Sequence, residues 1–148
     1  MKRGWPGPSH FFVSGRRAPQ LANTRDTTYD LRDAEFIEEL RRLRGTPAEV
    51  LENTELLHLV MPLLRADFTI TQTFEYQEGS PLTCSITAVG GLKDEQVARE
   101  HLAPWREVTT GDFSLHMVPG DHFFLHTSQD MLLEILARHL ARLGDGGA

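Results

Sequence analysis

The chain has 148 residues, 40% hydrophobic and 24% charged, and a formal net charge of −6. That is one domain's length, enough to bury about 68–70% of the extended surface, and its acidic balance argues against a nucleic-acid partner, which needs a basic stripe. A single cysteine, Cys84, excludes an intramolecular disulfide and any C-x-x-C zinc or redox pair.

Residues 1–8 are rich in proline and glycine and carry Lys2 and Arg3, but no apolar core of a secretory signal follows. No apolar run approaches the ~18 residues of a membrane span. A soluble, cytoplasmic protein with no membrane partner is expected.

The first predicted element is a short strand, His10-Phe11-Phe12-Val13-Ser14, followed by the loop Gly15-Arg16-Arg17-Ala18-Pro19-Gln20. Residues 30–66 read as helical. Asp30 can cap a helix with Phe36, Leu40 and Leu43 at i, i+4 and i+7, with Ile37 beside them, and Gly45 can end it. Its Arg41, Arg42 and Arg44 share the helix with Glu35, Glu38 and Glu39, which reads as a solvated face. Thr46-Pro47-Ala48-Glu49 has the form of a capping box with proline at the first helical position. Asn53 or Thr54 can cap a third, leucine-rich helix, in which Pro62 should cause a kink or a break.

Residues 67–148 return to alternation. Residues 82–89 and 113–118 read as strands joined by a helix over 95–108. An amphipathic helix over 129–143 closes the chain, with Leu132, Leu136, Leu140 and Leu143 on one stripe, before a frayed glycine-rich tail. Strand, helix, strand, helix is the pattern of a parallel sheet with crossover helices. The expected fold class is α/β, with sheet core from 1–29 and 67–148 and a helical lid inserted at 30–66.

The candidate chemistry lies at two strand ends. Gly90-Gly91-Leu92-Lys93-Asp94 follows the second strand and Pro119-Gly120-Asp121-His122-Phe123-Phe124-Leu125 the third. Ligands and catalytic groups collect at the carboxyl ends of parallel strands. A carboxylate after one strand and an imidazole after the next is how an α/β-hydrolase supplies the acid and base of its triad. Each residue also has a plainer reading, Asp94 as a turn former after Gly-Gly and His122 as a loop histidine after Pro-Gly. His122 and His126 are four apart, but no glutamate sits between them as in H-E-x-x-H, so no metal site is expected. His10, His58, His101, His116 and His139 show no pattern and read as surface or half-buried residues.

At these residues the sequence resembles the type II (editing) thioesterases that accompany nonribosomal peptide and polyketide synthases. The resemblance is carried by Gly90-Gly91-x-x-Asp94, Trp105 and Pro119-Gly120-x-His122-Phe123-Phe124-Leu125. It is also carried by Phe12-Val13-Ser14-Gly15-Arg16-Arg17-Ala18-Pro19-Gln20 and, in the lid, by Phe36-x-x-x-Leu40 and Gly45-Thr46-Pro47. It runs from about Pro8 to Leu143. It implies a partial α/β-hydrolase fold, with Asp94 as triad acid and His122 as triad base. It further implies a substrate acyl group on the phosphopantetheine of an acyl or peptidyl carrier protein, and no cofactor of the enzyme's own.

The departure from the family is the nucleophile. No G-x-S-x-G occurs in the sequence, and the family's G-H-S-M-G motif and first strands have no counterpart. Ser9, Ser14, Ser80 and Ser85 lack the flanking glycines, Ser14 beside Gly15 reads as turn chemistry, and Cys84, mid-strand, reads as a small core residue. The expectation is the C-terminal part of a thioesterase, inactive or nearly so alone. Two alternatives stand beside it: a non-catalytic module that binds a carrier protein, and one subunit of a split enzyme whose N-terminal half is a separate chain.

Overall fold

The computed structural model describes residues 7–22 and 26–145. The proline-rich opening up to residue 6 and the tail at 146–148 lie outside the described residues. Two compact units are present, one formed by residues 1–21 with 77–148 and the other by residues 22–76.

The first unit is a parallel sheet of three strands in the order β1 (His10–Ser14), β2 (Ser85–Gly91), β3 (Phe113–Val118). β2 is central and buried from Ile86 to Gly91, as a strand covered on both faces must be, which is why it reads as an unbroken run of apolar and small residues. In register, Phe12 pairs with Thr87 and Thr87 with Ser114, while Val89 pairs with His116. Alternation then sends Val13, Ile86 and Ala88 to one face, where Val97, Leu102 and Trp105 pack against them. The other face carries Val89 and Val118, covered by Phe124 and Ile135 with Leu132.

β1 and β3 have the bounds expected from sequence. β2 is displaced. It begins at Ser85, Leu82 makes only an isolated bridge to Thr109, and Gly90 and Gly91 belong to the strand, paired with Met117 and Val118. Glycine signalled a turn there, but Gly91 serves a close approach. A Cβ on it would lie 2.3 Å from the Asp121 carbonyl oxygen and 2.6 Å from that of Gly120.

The helix expected over 95–108 is instead a turn, a short α4 (Arg99–Leu102) and a 3-10 helix at Ala103–Val108. Asp94 diverts the backbone into a side-chain-capped turn, and Pro104 cannot supply the N–H that an α-helix needs there. A short α5 (Phe124–Thr127), not foreseen, precedes α6 (Gln129–Asp145). In α6 the buried side is Leu132, Ile135, Leu136 and His139, whereas Leu140 is 56% exposed. The expected leucine stripe was therefore rotated from the true one. Leu143 lies beyond the described side chains.

The second unit holds α1 (Asp33–Leu43), α2 (Ala48–Glu52) and α3 (Thr54–Gln72) around Phe36, Leu40, Leu57 and Met61. α1 starts at Asp33 rather than after Asp30, because the Glu35 carboxylate accepts the Arg32 N–H at 3.3 Å and makes Arg32 the cap. It ends on Arg44 in the left-handed region (φ 57°), one residue before Gly45. The arginine face is solvated and ion-paired, Arg41 with Glu38 and Arg42 with Glu39. No side-chain cap forms at α2, where Pro47 rather than Thr46 is the cap residue. Asn53 caps α3 as expected, accepting the Leu56 N–H at 3.0 Å.

Pro62 does not divide α3, and the helix continues to Gln72, past residue 66. The lost bond leaves only the carbonyl of His58 on the exposed side. Beyond it, Phe68 packs edge-on to Phe36 at 5.2 Å between ring centres, and the hydroxyls of Thr69 and Thr73 donate to carbonyls four residues back. Arg65 ties α3 to the start of α1. It donates to Tyr29 O at 2.6 Å and Asp33 Oδ1 at 2.7 Å, and lies 4.4 Å over the Phe36 ring.

Candidate active site

The turns after β2 and β3 are stitched to each other. Leu92 N–H donates to Val118 O at 2.8 Å and Lys93 N–H to Gly120 O at 2.9 Å. Gly120 sits at φ 117°, a conformation closed to ordinary side chains, and turns the chain back over Gly91. These contacts bring Asp94 and His122 together across 28 residues of sequence.

Asp94 is held by both oxygens. Its Oδ1 accepts the Gln96 and Val97 N–H groups at 2.7 and 2.9 Å, and its Oδ2 accepts from His122 Nδ1 at 2.8 Å. The Asp94 side chain is fully buried, while that of His122 is 28% exposed. With the proton of the neutral ring fixed on Nδ1, the lone pair of Nε2 is free to act as a base. Gly15, at the end of β1, backs the ring: a Cβ there would lie 3.6 Å from His122 Cε1.

The loop carrying His122 is buttressed from behind. The buried Ser128 donates to Pro119 O at 2.6 Å, and Asp121 Oδ1 accepts the Phe123 N–H at 2.9 Å. Trp105 has a similar duty on the other face, its indole N–H reaching Arg16 O at 2.8 Å and fixing the loop after β1. Ser128 had no signal in the sequence, and Gly15 only that of a turn within the segment carrying the resemblance, since their roles here arise from contacts between distant elements.

Other candidates are not brought to this pair. Cys84 is buried, Ser14 is exposed at the end of β1, and neither these nor Ser9, Ser80 or Ser85 hydrogen-bonds His122. His126 lies inside α5 and is exposed, while His122 precedes that helix, so the two do not share a helical face. One serine–histidine contact does occur elsewhere, Ser114 Oγ at 3.3 Å from His139 Nε2. Ser114 is inside β3, where backbone N–H groups belong to the ladder and cannot converge on an oxyanion. Among the described residues no group of three or more histidine, cysteine or carboxylate side chains is arranged to hold a metal ion. No helix of the described residues is long and apolar enough to cross a membrane.

A parallel sheet with a carboxylate and an imidazole joined behind consecutive strands is the back half of an α/β-hydrolase. Comparison with known proteins agrees and narrows the class. The thioesterase domain profile matches residues 2–143, and the chain belongs to the thioesterase family. It is 47% identical over 132 residues to the linear gramicidin dehydrogenase LgrE of Brevibacillus parabrevis, covering 87% of this chain and 50% of that protein. It is 44% identical over 133 residues to the gramicidin S biosynthesis protein GrsT of Aneurinibacillus migulanus, covering 90% and 52%. Among solved structures it superposes on the type II thioesterase BorB from the borrelidin biosynthetic cluster with a TM-score of 0.79 at 36% identity, covering 89% of this chain and 54% of BorB. The chain thus spans about half the length of the curated relatives it matches.

Proposed function

We propose that this chain supplies the acid–base half of a thioesterase that releases acyl groups from the phosphopantetheine arm of an acyl or peptidyl carrier protein. The observation that carries the reading is the bond from His122 Nδ1 to the buried Asp94 at 2.8 Å. Asp94 orients the ring and stabilises the imidazolium. His122 Nε2 takes the proton of a serine hydroxyl as its oxygen attacks the thioester carbonyl, then gives it to the departing phosphopantetheine thiol. Water, deprotonated at the same nitrogen, cleaves the acyl-serine in the second half of the cycle. No cofactor takes part. The serine comes from a nucleophile-bearing segment outside the present sequence, and the helical segment 30–66 serves as the enzyme's lid. The enzyme works in the cytoplasm, beside a synthase of secondary-metabolite biosynthesis.

The test combines this chain, fused or in trans, with the segment of GrsT that it does not match. Hydrolysis of acyl-phosphopantetheinyl thioesters should appear only in the mixture and vanish with His122→Ala. Turnover by the chain alone that is lost with Cys84→Ala or Ser14→Ala overturns the assignment. The absence of G-x-S-x-G from this chain favours one second reading, a module that binds the carrier without turnover. Carrier binding with no hydrolysis in any combination would establish that reading instead.

A further inference from the structure

A second polar cluster lies on the sheet face beneath α6, built from residues inside the strands rather than from the turns that carry Asp94 and His122. Three histidines from three elements meet there: His10 on β1, His116 on β3 and His139 on α6. The ring centre of His139 is 5.1 Å from that of His10 and 5.9 Å from that of His116. Thr87 and Ser114 link two of them. His10 Nε2 is 2.9 Å from Thr87 Oγ1, Thr87 Oγ1 is 2.8 Å from Ser114 Oγ, and Ser114 Oγ is 3.3 Å from His139 Nε2.

The chain has a direction. His139 Nδ1 donates to the Ile135 carbonyl at 2.9 Å, so in the neutral ring Nε2 is an acceptor. Ser114 then donates to His139, Thr87 to Ser114, and His10 to Thr87. In the neutral state one hydrogen-bonded chain thus joins β1, β2 and β3 to α6. His116 has a buried Nε2 without a hydrogen-bond partner among the described residues, so charging that ring gains nothing locally.

Charges around the cluster do not compensate. From α6 come Arg138 and His139, with Glu134 exposed and paired to Arg138 at 3.0 Å. From β1 comes His10, from β3 His116, with the exposed Asp112 just before that strand, while β2 offers the neutral Ser85 and Thr87. Burial first, and then His139, holds His10 below its ordinary 6.5, and burial with His139 and Arg138 does the same to His116.

We propose that His10, His116 and His139 form a proton-operated latch on α6: the neutral cluster seats the C-terminal half of the helix on the sheet, and protonation releases it. Histidines held low in the fold are neutral in both folded and unfolded states above about 6.5, where their seating is complete, and it is lost as pH falls below that value toward the folded pKa.

Hydrogen exchange on the full chain tests this. Corrected for intrinsic rates, amides of residues 136–141 should open about tenfold or more readily at pH 5.5 than at pH 7.5, each unit below 6.5 giving up to tenfold per histidine held low. Amides of β2 should change much less. In His116→Phe/His139→Gln, glutamine still accepts from Ser114 and His10 remains, so the pH response of residues 136–141 should fall to at most what one histidine supplies, about tenfold per unit below 6.5. A full response retained in that variant, or equal responses of α6 and β2 in the native chain, overturns the latch. Should the variant fail to fold, proton NMR titration of the native chain decides. His10 and His116 midpoints below 6.5 support the proposal, and midpoints at or above it refute it.

Discussion

Asp94 has two jobs that substitution can separate. Asp94→Ala removes the acceptor for the Gln96 and Val97 N–H groups and for His122 Nδ1. The Val97 N–H is buried, so orphaning it costs about 1–3 kcal/mol, and the part-buried Gln96 N–H less because water reaches it. The bond to His122 is worth about 1 kcal/mol after allowance for the exposure of that ring. Asp94→Ala should therefore lose about 3–4 kcal/mol, a large part of the 5–15 typical of a domain. Asp94→Asn keeps a carbonyl oxygen for both backbone donors and should lose only about 1 kcal/mol.

The asparagine variant nevertheless presents an amide N–H₂ to His122 Nδ1. The ring must then move its proton to Nε2, which ends its use as a base whatever the fold's stability. Urea unfolding at constant m-value measures the first effect, and long-range proton–nitrogen NMR of the imidazole reads the tautomer. In the reconstituted enzyme both variants should lose several orders of magnitude in kcat. Equal destabilisation by alanine and asparagine would show that Oδ1 does not hold the turn at 94–97. An Nδ1–H tautomer persisting in Asp94→Asn would refute the orienting role.

Three further outcomes are expected. Gly91→Ala forces a Cβ against the carbonyls of Gly120 and Asp121 and should cost at least about 1–3 kcal/mol by overpacking while broadening the His122 NMR signals; an unchanged urea midpoint would contradict the close approach. Among the described residues the outer edge of β1 has no strand partner, and Phe11 on it is 37% exposed, so the isolated chain should self-associate reversibly unless a nucleophile-bearing segment is added; a monodisperse monomer at high concentration in sedimentation velocity would count against this. Hydrogen exchange at neutral pH should be faster in α1 to α3, which share a core of four buried side chains, than in β2; equal protection would show that the helical unit is no less stable than the sheet.

β1, β3 and the Asp94–His122 pair were legible because they rest on local signals: short β-branched and aromatic runs bounded by glycine, and polar residues placed just after them. What escaped depends on contacts between elements. Gly90 and Gly91 read as a turn because the sequence does not reveal that Leu102 and the 120–121 carbonyls crowd them. The helical segment was expected to end at residue 66, yet α3 runs to Gln72, and the hydroxyls of Thr69, Thr71 and Thr73 bond its carbonyls. One helix over 95–108 does not form because Asp94 holds the Gln96 and Val97 N–H groups in a turn and Pro104 lacks an N–H. His10, His116 and His139 looked patternless because their common address is a sheet face, which only the register β1–β2–β3 defines.

The stitch between the turns after β2 and β3 has a consequence for how the molecule assembles. Asp94 and His122 close a loop of only 28 residues, within a parallel pair whose register already brings Gly91 beside Val118. Closure entropy rises slowly with length, and most of it is spent when the strands pair. The two side chains therefore need no separate search for each other. Pairing of β2 with β3 already brings them within reach, so the bond adds little closure cost of its own.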